Sequence, residues 1–192
     1  MSLVQTSAPA VEPITLAEAK AHLRLDASAE DALVTSLILT SRLHIEAALG
    51  LALITQGWTY LRDRWPRSRS LDLPMRPIQA VTAIRVLAAD GSFTTLDPTS
   101  YELDGRGLPA RLVLPASASR PQPGRASNGI AIDFTAGWGD LPADVPAPIR
   151  QSLLLLVAHW YEFRAPFETG GAIVPIPRSV SDLLLPYRPT RL

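Results

Sequence analysis

The three histidines are the first residues to weigh, because imidazole is the side chain that titrates closest to neutrality. His22, His44 and His159 fall on three different predicted helices, and none has a second His or a carboxylate at the spacing of a zinc site or a metalloprotease helix. His159 has Glu162 one helical turn on, placed to hold an imidazole in a general base. No nucleophile is tied to the pair, so a satisfied interior histidine is the simpler reading and a small hydrolase the rival one. Asp133 and Asp140 flank Gly137-Trp138-Gly139 and offer oxygen ligands for a cation, or simply end a strand and make a turn. Trp58, Tyr60 and Trp65 offer ring faces to a glycan, or fill the interior of a small sheet. Gly-x-Ser-x-Gly and the phosphate-loop pattern are absent. There is no Cys, which removes disulfides, thiolate metal sites and a cysteine nucleophile together. The expectation is a protein with no catalytic residues, no cofactor and no metal.

Composition narrows the class further. A chain of 192 residues, 47% hydrophobic, can bury a proper core in one folded unit. Formal net charge is zero, so the overall balance favours neither sequestering nucleic acid nor lying on an anionic membrane. Tight DNA binding would need a basic surface that the sequence does not display. Lys20 is the only lysine beside many arginines, a bias more typical of a GC-rich genome than of a phosphate-reading surface. The N-terminal MSLVQTSAPAVEP lacks the basic and apolar regions of a signal peptide.

The elements that must position these residues are organised around Pro148 to Arg164, PIRQSLLLLVAHWYEFR. A helix here lines up Ile149, Leu153, Leu156, Trp160 and Phe163 on one face, while Leu154, Leu155 and Val157 make the others apolar too, which predicts a buried central helix. At about 1.5 Å per residue it is too short for a bilayer, and its charged residues argue further against a membrane span.

Residues 1–13 read as a flexible arm. Thr15-Leu16-Ala17-Glu18 has the form of a capping box and opens a helix to about Leu25. A second helix starts at Ser28-Ala29-Glu30-Asp31 with Val34, Leu37, Ile38, Ser41, Ile45 and Ala48 as its apolar stripe and Thr35, Arg42 and Glu46 as its polar side, stopping at Gly50. From Ile54 the alternation of aromatic and β-branched residues predicts strands. These include the run through Trp58 and Tyr60, an edge piece at SLDL, Val81 to Ala88, and a hairpin at Asp90-Gly91 leading to Phe93 to Leu96. Tyr101 to Leu103, Arg111 to Leu114 and Ile130 to Thr135 follow. ASASRPQPGRASNG between the last two reads as an exposed, mobile loop. After the central helix comes a loop, flexible at Gly170-Gly171, then a short helix from Ser179 to Leu185 and a tail barred from helix by Pro186.

The pattern as a whole resembles the head-tail connector, or adaptor, family of tailed bacteriophages and gene transfer agents. It rests on PITLAEAKAHLRLD with Glu30-Asp31, ALITQGWTYLRDRWP, RPIQAVTAIRV, AGWGDLPADVPAPIRQSLLLLVAHWYEFR and IPRSVSDLLLPYR, in that order. The fold expected is α+β: a helical bundle of two N-terminal helices, one long buried helix and a short C-terminal helix, with a β-rich module inserted between the second and third helices. In domain terms this is a 1–13 arm and a single connector domain over 14–192, divided into 14–50 helical, 54–136 β-rich, 146–165 central helix and 166–192 loop, helix and tail. The resemblance implies a dodecameric ring of identical copies at the head-tail junction of the particle, below the portal protein and above a neck or stopper protein, with double-stranded DNA passing through and no membrane. It also implies interaction surfaces in place of catalysts. Leu183, Leu184, Leu185, Tyr187 and Arg188 would reach the portal or a neighbouring subunit, and Leu37, Ile45, Leu153, Leu156 and Trp160 would serve core and subunit packing. The large β module departs from the all-helical minimal members. The rivals are a small hydrolase or glycan-active protein using His159, and a DNA-packaging accessory that binds DNA directly.

Overall fold

The computed structural model describes residues 1–105, 107, 109–163 and 175–188. Within them the chain is mixed α and β, with four α-helices and two antiparallel sheets. Its described residues divide into two compact units: a β unit of Met1–Ala10 and Gly50–Trp138, and a helical unit of Val11–Leu49 and the described residues from Gly139 onward.

In the helical unit, α1 (Leu16–Leu23) starts at the predicted capping box. The Glu18 amide donates to Thr15 Oγ1 at 3.1 Å and the Thr15 amide donates to Glu18 Oε2 at 2.8 Å, so two amides free at the helix start are satisfied reciprocally. Helix α2 (Asp31–Leu49) follows, its first residue bonded by Lys20 Nζ of α1 at 2.6 Å, and Gly50 takes the left-handed conformation (φ 64°) that ends it. Helix α3 (Ala147–Glu162) enters through Pro146 and Pro148, residues whose missing amide protons cost nothing in a first turn. It packs on α1, α2 and α4 (Arg178–Leu184). Ile149, Leu153, Leu156 and Val157 are buried. The helix is not buried all round: Leu154, Leu155 and Trp160 are half-buried and Phe163 is exposed.

The polar side assigned to α2 is also corrected. Arg42 and Glu46 are buried, whereas Ala48, placed in the apolar stripe, is exposed. Arg42 donates Nη1 to Glu46 Oε2 at 2.8 Å, one turn along α2, and grips Glu12 with Nε at 2.8 Å and Nη2 at 3.2 Å. A buried guanidinium is tolerated because carboxylates occupy both sides of its fork. Arg150 of α3 meanwhile donates to the Pro13 carbonyl at 3.2 Å and to Glu18.

In the β unit, five strands make one sheet in the order β1-β2-β8-β4-β5: β1 (Ser2–Ser7), β2 (Gln56–Arg62), β4 (Ile78–Leu87), β5 (Phe93–Thr95) and β8 (Ile130–Ala136). A second sheet, β3-β7-β6, comprises β3 (Ser70–Asp72), β6 (Glu102–Asp104) and β7 (Arg111–Val113). The alternation along β8 turns Ile130, Ile132, Phe134 and Ala136 into a core that Ile84, Val86, Leu71, Leu112 and Leu114 complete from the other strands.

Two expectations of disorder are overturned here. Residues 2–7 of the supposed flexible arm pair antiparallel with β2, Ser2 opposite Leu61 and Gln5 opposite Trp58, while Glu12 and Pro13 are held by Arg42 and Arg150. The loop over 116–129 is laced to its own unit. Trp65 Nε1 donates to the Pro121 carbonyl at 2.8 Å, Arg120 to that of Pro66 at 3.3 Å, and the Gly124 amide to Leu87 at 2.9 Å. A Cβ at Gly124 would lie 2.4 Å from the Ala89 nitrogen, so this close approach needs glycine.

Candidate interaction surfaces

Most of the residues that suggested chemistry make contacts within their own unit. His159 is 9% exposed, with its ring 5.1 Å from that of Phe163, and Glu162 is exposed. His44 meets Trp160 edge to face at 5.6 Å. Asp133, on the central strand, accepts from Thr59 Oγ1 at 2.5 Å and pairs with Arg85 Nη2 at 2.7 Å, bonds to the strands on both sides that satisfy a carboxylate on a sheet face. Asp140 is exposed. Among the described residues no group of three or more His, Asp or Glu is arranged to hold a metal. Tyr60 is buried in the β core, and half-buried Trp58 and Trp65 pack against it.

The C-terminal residues separate into two groups. Val180 and Leu184 are buried on the side of α4 that packs on α3. Leu183 and Tyr187 are half-buried, and Leu185 and Arg188 are exposed, Leu185 by 61%. Helical geometry continues past Leu185 as a 3-10 turn over Leu185–Tyr187. Pro186 fits there because the first turn asks for no amide proton. Arg164, the Gly170-Gly171 loop and the end of the tail lie outside the described residues.

Of the packing residues, Ile45, Leu153 and Leu156 are fully buried, while Leu37 and Trp160 are half-buried. The surface that sequence reasoning missed lies on the far side of α2. Leu39 (42% exposed) and Leu43 (50%) stand one turn apart there, with Ser36, Thr40 and Ala47 exposed around them. By length and mean hydropathy, 1.3, α2 would suit a membrane span, but its buried ion network and small polar neighbours are those of a soluble helix with an uncovered apolar stripe. The spacing Leu39, Leu43, Ala47 was the available signal, obscured because α2 is apolar on most faces.

The model of the head completion protein family matches residues 12–188. A chain in the virion of a native gene transfer agent particle is similar over 100% of this chain and 97% of its own, at 29% identity and a TM-score of 0.83. Chains in the neck of the empty particle, computed with C6 symmetry, and in the neck of the native particle, computed with C12 symmetry, have TM-scores of 0.84 and 0.81 at 28% and 27% identity, with the same coverage. No curated protein matches the chain. The protein belongs to the head completion protein family.

Proposed function

We propose that the protein is a structural head-tail connector of a phage-like particle, a ring component of the neck that joins capsid to tail. The observation that carries the reading is near-complete coverage in both directions by chains from gene transfer agent virions and necks, together with a family match over residues 12–188. Neck reconstructions with C6 and C12 symmetry support a ring of copies, and twelve is the number we infer. The family and the structural neighbours are particle components, which weighs against an enzyme.

In this reading residues 14–192 act as a single connector domain, a helical bundle with an inserted β module. The Leu39 and Leu43 face of α2 meets a neighbouring copy, since two exposed leucines one turn apart suit a helix groove of a second subunit. Leu185 and Arg188, beside half-buried Leu183 and Tyr187, face the portal protein or a neighbour. Leu184 contributes to its own unit. A stopper protein binds on the opposite side, and double-stranded DNA passes through the ring.

Deleting the gene tests this directly. Filled heads and separate tails should accumulate, and adding purified protein should restore joined particles with a ring at the capsid vertex. Normal particles without the protein would overturn the reading.

A further inference from the structure

The zero net charge of the chain conceals an uneven distribution. Between β2 and β3 the chain runs Arg62-Asp63-Arg64-Trp65-Pro66-Arg67-Ser68-Arg69, and the segment over 115–129 adds Arg120 and Arg125 without an acid. Over fifty residues apart in sequence, the two segments are bound together in the β unit. Trp65 bonds to Pro121, Arg120 to Pro66, Arg69 to the Pro115 carbonyl, and the Asn128 amide to Asp63 at 2.9 Å. The two bonded segments therefore carry six of the eighteen basic residues of the chain and a single carboxylate between them. That carboxylate, Asp63, is held below the usual range by the Asn128 amide, the nearby Met1 amine and the neighbouring Arg64 and Arg62.

The chemistry of the corner selects among anionic partners. Arg64, Arg67 and Arg125 are exposed, and Arg62 is braced on Tyr60, with Nη1 3.0 Å from the hydroxyl. Neither segment carries an exposed large hydrophobic residue. A protein interface ordinarily centres on aromatic or aliphatic anchors, whereas a nucleic-acid backbone asks for spaced cations beside hydroxyl and amide donors, here the Ser127 hydroxyl and the Asn128 side-chain amide. We propose that this arginine-rich corner is a sequence-independent contact site for the phosphate backbone of double-stranded DNA. The proposal deepens the connector reading, on which the presence of a duplex rests, and is tested apart from it.

Each phosphate neutralised adds about 0.9 to the slope of log affinity against log salt. With about four contacts, raising salt from about 20 to about 150 mM weakens binding about a thousandfold. A single copy thus holds DNA only at low salt.

The test is fluorescence anisotropy of a labelled duplex of about 30 base pairs, titrated with the full-length protein at several salt concentrations. The expectation is binding at low salt with a steep slope. The combined variant Arg64→Gln, Arg67→Gln, Arg125→Gln should bind at least tenfold more weakly, with a slope shallower by about 2.7. The corresponding lysine variant should keep the slope, and Arg111→Gln, which removes an exposed arginine elsewhere in the unit, should change little. Circular dichroism of each variant separates lost binding from lost fold, and light scattering follows ring formation independently. Absence of salt-dependent binding, a glutamine variant that binds like wild type, or equal loss with Arg111→Gln would each overturn the proposal. So would a corner that captures an acidic particle protein while DNA binding is unaffected.

Discussion

The helical and β units treat charge and apolar surface in opposite ways. The helical unit buries an arginine between two glutamates and leaves leucines on its outside; the β unit packs its aliphatic residues inward and collects arginines at one corner. Of the ten exposed large hydrophobic residues among those described, seven belong to the helical unit: Val11, Leu39, Leu43, Leu141, Phe163, Ile176 and Leu185. Hidden charge with displayed leucine suits permanent contact with other protein, because apolar area is what association removes from water. Displayed charge over a closed core suits passing contact with solvent and ions. The division of labour proposed above between copies of the chain and DNA follows the same line.

The sharpest way to break this comparison is through the two interiors. Phe134, 1% exposed in the β core, should cost about 3 to 5 kcal/mol on change to alanine, read as a lower denaturation midpoint. Arg42→Ala should cost about 3 kcal/mol, because Glu46 and Glu12 lose their buried counter-charge. Arg64→Ala, exposed in the β unit, should stay within about 0.5 kcal/mol. Equal losses for Arg42 and Arg64 would erase the contrast.

Next in size is assembly. Leu39→Asp with Leu43→Asp should leave the unfolding transition of the monomer near wild type and abolish ring formation in light scattering and electron microscopy. Rings that persist would move the subunit contact away from α2. Leu185→Asp with Arg188→Glu should leave the protein folded and reduce joining to portal-bearing heads. Truncation before α4 is the poorer probe, since Val180 and Leu184 are buried and their loss would strip cover from the unit itself.

The smallest expected effect is on pH dependence in the helical unit. The Thr15 amide, with further help from the Thr15 hydroxyl and Arg150, outweighs the cost of burial and holds the Glu18 carboxyl below its ordinary value of 4.5. A depressed folded pKa contributes stability above the unfolded value, and the contribution is lost as pH falls through the folded one. Urea midpoints from pH 6 down to about 3 should therefore fall slightly less in Glu18→Gln than in wild type, the difference being small because the side chain is 40% exposed.

The capping box at Thr15, the α3 segment and the strands through Tyr60 and Ile84 were legible because local patterns specify them. Arg42 was misplaced for a definite reason. An Arg and a Glu four apart on a helix look alike whether they face solvent or a third charge, and Glu12 lies thirty residues earlier. The β1 strand left no sign in composition because what holds it is main-chain pairing along the edge of β2. The arginine corner was invisible because its halves are far apart in the chain, so counting runs of basic residues found none. Of the proposed anchors, Leu185 and Arg188 were legible as surface residues, while Leu184 was not distinguishable from them until α4 had a partner.

The lacing of segment 115–129 has a consequence for how this surface can change over generations. Three of its fastenings end on carbonyl oxygens, those of Pro115, Pro121 and Pro66, and every amino acid supplies a carbonyl. The donors are the side chains of Arg120 within the segment and of Trp65 and Arg69 in the facing one, so the loop keeps its course while these three stay and its other side chains vary. Gly124 and Gly129 are fixed as well, because a Cβ would lie 2.4 Å from the Ala89 nitrogen at the first and 2.5 Å from Pro123 Cβ at the second. Related chains can thus raise or lower the charge of this corner at Arg64, Arg67 and Arg125, and with it the proposed hold on DNA, without loosening the frame that Arg69 and Arg120 fasten.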